Sequence, residues 1–206
     1  ACSWAGSPLP GGTRTIATCL IAALGKGTRS VRPVSSSASR AAMANGTLRF
    51  YLSAEVEGDR RHLVASAPAR DTALTLTVDL ADRSDSARIV PGGGVSDTAI
   101  DTFNALVYAS DPLPTATEIS GLPSGHLELV ANKRDFDFGI SIYELRKDGT
   151  YRSLPPYQSR ASYVADIARR RLLTPGAGTV LDWKNVRLVS QLCEAGSRIV
   201  MVIGPI

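Results

Sequence analysis

Cysteine is scarce in this sequence, and its positions match no familiar framework. Only Cys2, Cys19 and Cys193 occur among 206 residues. An odd count without metal-ligand spacing excludes a disulfide framework and a zinc site. We therefore expect a reducing compartment and predict a cytoplasmic location. Long apolar runs are missing as well: none reaches the roughly 20 residues that a membrane-spanning helix needs, so we expect no membrane partner.

The nucleophile elbow of the α/β-hydrolases is also missing. An elbow needs Gly-x-Ser-x-Gly, because small residues beside the serine permit its strained turn. Residues 94–98 are Gly-Val-Ser-Asp-Thr, so Ser96 has the first glycine and lacks the second. His62 and His126 are the only histidines, and a lone histidine at a strand end is more often a hydrogen-bonding residue than a base. We predict no catalytic residue, and no esterase or peptidase activity for this chain alone.

Concentrated positive charge is likewise absent. The net charge is +4, and 19 arginines and 4 lysines are spread along the chain. Only residues 169–171 form a basic cluster, whereas a nucleic-acid face needs a larger basic patch. The glycines at 92–94, 176 and 178 form no phosphate-binding loop, since no strand leads into them with a helix behind. We expect neither a nucleic-acid partner nor a cofactor.

Two groups of aspartates are the candidate metal ligands. Asp79, Asp82 and Asp85 fall in one loop region, and Asp135 and Asp137 lie on one face of a strand. Either group could hold calcium through carboxylate oxygens. Neither matches a known calcium loop, and Asx turns or pairing with neighbouring arginines accounts for them equally well. We predict no metal site, with weak calcium binding at one of these groups as the open alternative.

The strongest positive signal is the alternating stretch 134–149. Phe136, Phe138, Ile140 and Ile142 fall on one face of an extended strand, and polar or small residues fall on the other. A period of two over this length predicts a half-buried β-strand. Asp148-Gly149 then predicts a tight hairpin turn, with the return strand starting near residue 151.

Further strands are predicted on both sides of this hairpin. Their positions are 47–52, 74–80, 103–108, 126–131, 179–192 and 198–203, the last being apolar on both faces and therefore fully buried. Residues 160–173 fit a helix or a strand. Short strands separated by Gly/Pro turns predict an all-β sandwich or barrel.

The first 46 residues differ from the rest. Apolar residues at 16, 19, 20, 23 and 24 recur at helical spacing, with Thr13 as a cap and Gly25 as a terminator. We predict a short amphipathic helix followed by a linker rich in serine, arginine and alanine. The predicted division is therefore 1–46, a connector with a short helix, and 47–206, a β-sandwich.

From residue 106 to 203 the sequence resembles the C-terminal non-catalytic domain of X-Pro dipeptidyl peptidases and cocaine esterase-like serine hydrolases, a group that includes acyl esterases and α-amino acid ester hydrolases. The resemblance depends on the order of short motifs rather than on any single one. These motifs are Tyr108-Ala109-Ser110-Asp111-Pro112-Leu113, Glu118-Ile119-Ser120-Gly121, Asp135-Phe136-Asp137-Phe138, Tyr143-Glu144, Asp148-Gly149, Arg160-Ala161-Ser162-Tyr163, Leu173-Thr174-Pro175-Gly176 and Gly196-Ser197-Arg198.

The resemblance implies a galactose-binding-like jelly-roll β-sandwich that is truncated at its C-terminus. It also implies that the catalytic serine, aspartate and histidine lie in a separate α/β-hydrolase domain, the expected partner. In such a protein the accessory domain packs on the catalytic domain and helps shape its active-site cleft or an oligomer interface. We therefore expect an apolar docking surface near the predicted helix, Ile16–Leu24, and the loops at Leu113 and Leu122. The open alternative is that the helix folds back over one sheet of its own domain and closes it.

A free-standing carbohydrate-binding module is the alternative function, because one fold serves many functions. Sugar binding would need exposed aromatic side chains on a concave face. Aromatic residues make up only 6% of the chain. Trp183, between Leu181 and Val186, is predicted to lie in the core rather than to form a sugar platform.

Overall fold

Strands dominate the fold. A computed structural model describes residues 2–4 and 18–24, for their strand pairing, and residues 47–69, 72–78, 95–184 and 187–206. A short 3-10 helix, Ala161–Tyr163, accompanies the strands. In chain order the strands are β1 (Cys2–Trp4), β2 (Thr18–Leu24), β3 (Thr47–Glu57), β4 (Arg60–Val64), β5 (Leu76–Val78), β6 (Ser96–Asp97), β7 (Leu106–Ser110), β8 (Thr117–Gly121), β9 (Ser124–Val130), β10 (Asp137–Leu145), β11 (Tyr151–Arg160), β12 (Gly178–Trp183), β13 (Val189–Cys193) and β14 (Arg198–Pro205). None of the described residues belongs to a helix long and apolar enough to cross a membrane.

The predicted hairpin is confirmed at the centre of the fold. β10 and β11 run antiparallel, with Leu145 opposite Tyr151. Gly149 adopts φ +83°, which glycine tolerates without steric cost. The Asp148 carboxylate accepts hydrogen bonds from the backbone N–H and the hydroxyl of Thr150, at 2.9 and 2.6 Å. The Asp-Gly pair therefore closes the turn.

A β-bulge interrupts this hairpin at two prolines. Ile142 pairs with Leu154, but Ile140 pairs with Tyr157, so β11 holds one extra residue between the two pairs. Residues 155 and 156, both proline, occupy that interval. Proline cannot donate a ladder hydrogen bond and is therefore tolerated in a strand where a bulge breaks the ladder.

Twelve strands form one continuous sheet, and the stacking of Tyr157 of β11 on Trp183 of β12 shows that its two ends fold over each other as the two layers of a sandwich. β6, β11, β10, β14, β7, β4 and β3 lie side by side in that order, and β2 continues from β3 to β9 and β12. β8 and β13 pair beside β2, and β1 pairs separately with β5. The pair β4–β7 is parallel, whereas the other described pairs are antiparallel.

The inner core lies between the layers and confirms the β-sandwich. Phe138 on β10 and Ile199 on β14 are 0% exposed. Tyr157 stacks on Trp183 of the opposite layer, with ring centroids 5.4 Å apart. The predicted core position of Trp183 is therefore confirmed. The same cluster contains Phe50, Leu63, Tyr108, Leu113, Ile119, Leu127, Ala131, Ile140, Ile142, Leu154, Ala161, Leu173, Leu181, Val189, Cys193, Met201 and Ile203.

A second apolar cluster lies on the opposite face of β14. Val200 and Val202 point away from the inner core and pack with Val107 of β7 and with Tyr151. Ile100, from the segment between β6 and β7, covers them and is 5% exposed. The prediction that residues 198–203 form a strand buried on both faces is therefore confirmed.

The predicted N-terminal helix is wrong where the structure describes it. Residues 18–24 form β2, which pairs with β3, β8 and β9. The run Thr-Cys-Leu-Ile-Ala-Ala-Leu is apolar at both helical and strand spacing, so periodicity could not separate the two. Pairing with three neighbouring strands satisfies the backbone N–H and C=O groups of this segment, so it forms a strand rather than a helix. The predicted cap, Thr13, lies outside the described residues.

Several boundaries also differ from the prediction. β4 and β6 were not predicted, and residues 160–173 form the end of β11 and the 3-10 helix rather than a regular helix.

Leu113, expected on a docking surface, is 6% exposed and belongs to the inner core. Leu122 is half-buried. The division at residue 46 stays a prediction.

Candidate functional site

Ser96, the half-matched elbow serine, lies on a strand. It belongs to β6 and pairs with Arg152 of β11. Its side chain is exposed. An elbow serine sits instead on a sharp turn between a strand and a helix. Ser96 therefore does not have the backbone setting that would make it a nucleophile.

His126 lies between two carboxylates on the outer face of the β9–β12 pair. Asp182 Oδ1 is 2.7 Å from Nδ1, and Glu128 Oε1 is 3.1 Å from Nε2. Burial opposes protonation, but the hydrogen bonds and charges of Asp182 and Glu128 outweigh it and raise the pKa of His126. An Asp–His pair can orient a catalytic base. Here Glu128 is hydrogen-bonded to Nε2, the nitrogen that would have to accept the nucleophile's proton. The three side chains therefore fit a cross-strand clamp better than a general base.

His62 lies on β4, far along the chain from His126. Its Nε2 is 3.6 Å from Glu57 Oε2, and its side chain is 26% exposed. With Arg60 and Arg198 it lines a small pocket where β4 meets β7 and β14. The structure therefore places the two histidines on different strands with separate carboxylate partners.

Asp135 organises the segment that follows β11. Its carboxylate accepts hydrogen bonds from the backbone N–H and hydroxyl of Ser162, at 3.1 and 2.8 Å, and from Arg170 at 2.9 Å. Burial would raise the pKa of Asp135, but the bonds from Arg170 and Ser162 outweigh it and lower that pKa. The carboxylate thus fixes the 3-10 helix against the start of β10.

Asp137 forms a two-pronged ion pair with Arg160. The Nε and Nη2 atoms of Arg160 lie 2.7 and 2.8 Å from the two carboxylate oxygens. The hydrogen bonds from Arg160 lower the pKa of Asp137. Calcium at Asp135 and Asp137 would have to displace these donors, and the described residues hold no group of three metal-ligating side chains. Asp79, Asp82 and Asp85 lie outside the described residues.

Glu144 is a buried carboxylate that sequence reasoning missed. It is 0% exposed on the inner face of β10. The Glu194 N–H donates to its Oε1 at 3.0 Å, Gln191 donates to its Oε2 at 3.4 Å, and Arg146 Nε lies 3.7 Å away. The available signal was its period-two position in line with Phe138. These partners tie the end of the central hairpin to the β13–β14 turn.

Cys193 is the one cysteine whose side chain the structure describes. It is free and 0% exposed. Burial, with the nearby Glu144 charge, raises its pKa to about 12. A thiol with this pKa stays protonated at neutral pH, so it is a core residue and not a nucleophile.

The fold and these engaged side chains define a β-sandwich domain whose described polar groups hold its own structure together. The sequence matches, over residues 27–199, the family described as the X-Pro dipeptidyl-peptidase C-terminal non-catalytic domain. The chain belongs to this family. No curated protein matches the sequence.

Two solved structures are similar to part of the chain. One is an aminopeptidase from a marine sediment archaeon, Thaumarchaeota archaeon, with 22% sequence identity and a TM-score of 0.45. The other is a selenomethionine-labelled α-amino acid ester hydrolase, with 15% identity and a TM-score of 0.45. Each match covers 49% of this chain and 18% of the other chain, so the matched region is less than a fifth of those proteins.

Proposed function

We propose that this chain is the accessory domain of a serine hydrolase. It packs on an α/β-hydrolase catalytic domain that cleaves ester or X-Pro peptide bonds, and it helps shape that domain's active-site cleft or an oligomer interface. The observation that carries the proposal is the family match over residues 27–199. The cytoplasmic location stays part of the proposal.

The state of the polar side chains supports a structural role over a catalytic one. Both ring nitrogens of His126 face carboxylates, and Asp135 and Asp137 accept hydrogen bonds from arginines. Trp183 is 3% exposed and stacked on Tyr157, so it is not available as a sugar platform. We therefore favour the accessory domain over the carbohydrate-binding module.

The test begins with the coding region that surrounds this sequence. We expect an α/β-hydrolase pattern with Gly-x-Ser-x-Gly to be encoded beside it. The hydrolase domain is then produced with and without this chain, and turnover of p-nitrophenyl esters and an X-Pro p-nitroanilide is measured. Activity that needs both parts, with the 206-residue chain inert alone, is the expected result.

Two outcomes would contradict the proposal. One is a coding region without any hydrolase domain. The other is hydrolysis by the purified chain itself that disappears on mutating Ser96. Isothermal titration calorimetry adds an independent readout, because an accessory domain should bind its hydrolase domain with one-to-one stoichiometry even where substrate turnover is slow.

A further inference from the structure

An exposed loop with three consecutive arginines follows β11. It spans residues 162–173, and we call it the arginine loop. Both of its ends are fixed to the domain: Ser162 is 1% exposed, and the Leu173 N–H donates to the Arg134 carbonyl at 2.8 Å. The Arg171 N–H donates to the Ser162 carbonyl at 2.8 Å and closes the base of the loop. Compact surface loops whose ends meet in this way are frequently functional.

Hydrogen bonds also hold the middle of the arginine loop in one conformation. The Asp135 carboxylate, just before β10, accepts from Arg170 at 2.9 Å as well as from the 3-10 helix. At the tip, the Asp166 carboxylate accepts from the Ala168 N–H at 2.9 Å. The Asp166 carbonyl accepts from the Arg169 N–H at 3.2 Å and forms a tight turn. The loop therefore has its shape before any partner meets it.

The tip of this ordered loop presents an aliphatic side chain to solvent. Ile167 is the second residue of the turn and is 86% exposed, the largest exposure among the large hydrophobic side chains that the structure describes. Leu172, near the base of the loop, is 43% exposed. Single exposed apolar side chains are common on protein surfaces. Ile167 differs because hydrogen bonds fix the turn that carries it, while its side chain contributes almost no burial to its own domain.

Positive charge surrounds this side chain. Arg170 is paired with Asp135, whereas Arg169 and Arg171 are exposed and form no ion pair with a residue that the structure describes. The turn at residues 131–137 is hydrogen-bonded to the loop and adds further cations. Over residues 131–137 and 160–173, six cations against three carboxylates leave a formal charge of +3. This surface therefore accounts for most of the chain's net charge of +4.

We propose that the arginine loop docks this chain onto its α/β-hydrolase domain, with Ile167 entering an apolar pocket that has an acidic rim. This inference rests on the proposed function and names a contact through which the two domains meet. A fixed aliphatic anchor between unpaired arginines complements such a pocket in shape and in charge. Because Asp135 and Asp166 hold the loop in shape beforehand, docking costs little conformational entropy.

An anionic lipid surface is the competing occupant, and it fits the loop less well. Side chains that anchor proteins at the membrane interface are commonly aromatic. The only aromatic residue of the arginine loop, Tyr163, is half-buried in the 3-10 helix. Even a whole myristoyl chain gives only marginal membrane binding, so a single isoleucine is a weak anchor there. Asp166, directly before Ile167, would also bring a carboxylate against the anionic headgroups.

The first test compares the protein that contains both domains with the 206-residue chain alone. Hydroxyl-radical oxidation followed by mass spectrometry measures how accessible each side chain is. Oxidation of Ile167 and Leu172 is expected to fall several-fold in the two-domain protein. Leu192, which is 59% exposed on β13, is the reference side chain and is expected to change little. Equal oxidation of Ile167 in the two proteins would overturn the docking contact.

The second test measures by calorimetry how variants of the chain bind the hydrolase domain. Ile167→Ala removes the anchor and is expected to weaken association about tenfold or more. Arg169→Gln and Arg171→Gln are each expected to weaken it about two- to fivefold, with a loss that shrinks at high salt. Leu192→Ala is the matched control and is expected to change affinity less than about twofold. Because all four side chains are exposed, their urea midpoints are expected to stay at the wild-type value.

The outcomes separate this inference from the proposed function. A wild-type chain that does not associate with the hydrolase domain overturns the proposed function and, with it, this contact. Association that is equally strong in Ile167→Ala and Leu192→Ala overturns only the docking contact. Sedimentation of the chain with phosphatidylserine-containing vesicles, if Ile167→Ala abolishes it and leaves association with the hydrolase domain unchanged, assigns the loop to a lipid surface and likewise overturns the docking contact.

Discussion

The inner and outer faces of this sandwich are specified in different ways. The inner face is apolar on both layers, and its side chains come from strands throughout the chain. The outer face changes character with position. On β14 it is apolar and covered by Ile100, whereas on the β9–β12 pair it carries His126, Glu128 and Asp182.

This difference shows which face the sequence can predict. An inner face repeats every second residue along a strand, so one strand reveals it by itself. An outer face depends on what the chain lays over it, and that is decided by distant residues.

The largest effect is expected on the inner face, at Phe138. The ring is 0% exposed and lies 5.9 Å from the ring of Tyr157. Phe138→Ala should lower the free energy of unfolding by about 3–5 kcal/mol, through lost transfer energy and a cavity. Urea denaturation measures this change in the free energy of unfolding. The control is Asp137→Asn, which changes the preceding residue on the outward face and should cost far less. Two equally mild substitutions would contradict the assignment of faces.

Gly125 tests the inner face of the other layer. It pairs with Trp183, whose indole ring packs directly over it. A methyl group at position 125 would overlap the ring and force it out of its stack on Tyr157. Gly125→Ala should therefore cost about 1–3 kcal/mol, measured by urea denaturation. Gly58→Ala is not a clean control because of its positive φ, so Ala67→Gly on an exposed loop serves instead.

Much of the fold followed from local pattern. The alternation from Phe136 to Ile142 predicted the inner face of β10, and Asp148-Gly149 predicted its turn. β4 was not predicted, because its sequence, Arg-Arg-His-Leu-Val, starts with three polar residues. β4 is positioned by its pairing with β3 on one side and β7 on the other, and nothing in the sequence of β4 itself predicts that pairing.

The polar clusters were less predictable, because their members are far apart in sequence. Asp135 meets Ser162 and Arg170, which follow it by 27 and 35 residues. His126 meets Asp182 after 56 residues. A single sequence does not reveal which strands will be neighbours. Glu144 was missed for a different reason. Its period-two position indicated the inner face, but its charge argued against placing it there.

A matched pair of substitutions compares the two faces directly. Ile140 is 1% exposed on the inner face, and Ile100 is 5% exposed over the outer cluster. Ile140→Val and Ile100→Val remove the same methylene, and each should cost about 0.5–1.5 kcal/mol. We expect Ile100→Val to cost less, because the covering segment can close the gap more readily than a central strand. A larger loss at Ile100, measured by urea denaturation, would contradict this ranking.

The smallest effect is expected at His126, where the outer face should make stability depend on pH. Asp182 and Glu128 outweigh burial and raise the His126 pKa above its ordinary value of 6.5. A raised folded-state pKa means that the clamp stabilises the fold fully below pH 6.5 and loses that contribution as the pH rises through the folded pKa. The stability difference between wild type and His126→Gln should therefore shrink above pH 6.5, as followed by urea midpoints from pH 5.5 to about 8.5. Asp182→Asn, which leaves Glu128 as the only carboxylate partner, should weaken the pH dependence without abolishing it. A difference that stays constant across this range would show that His126 is not protonated between the two carboxylates.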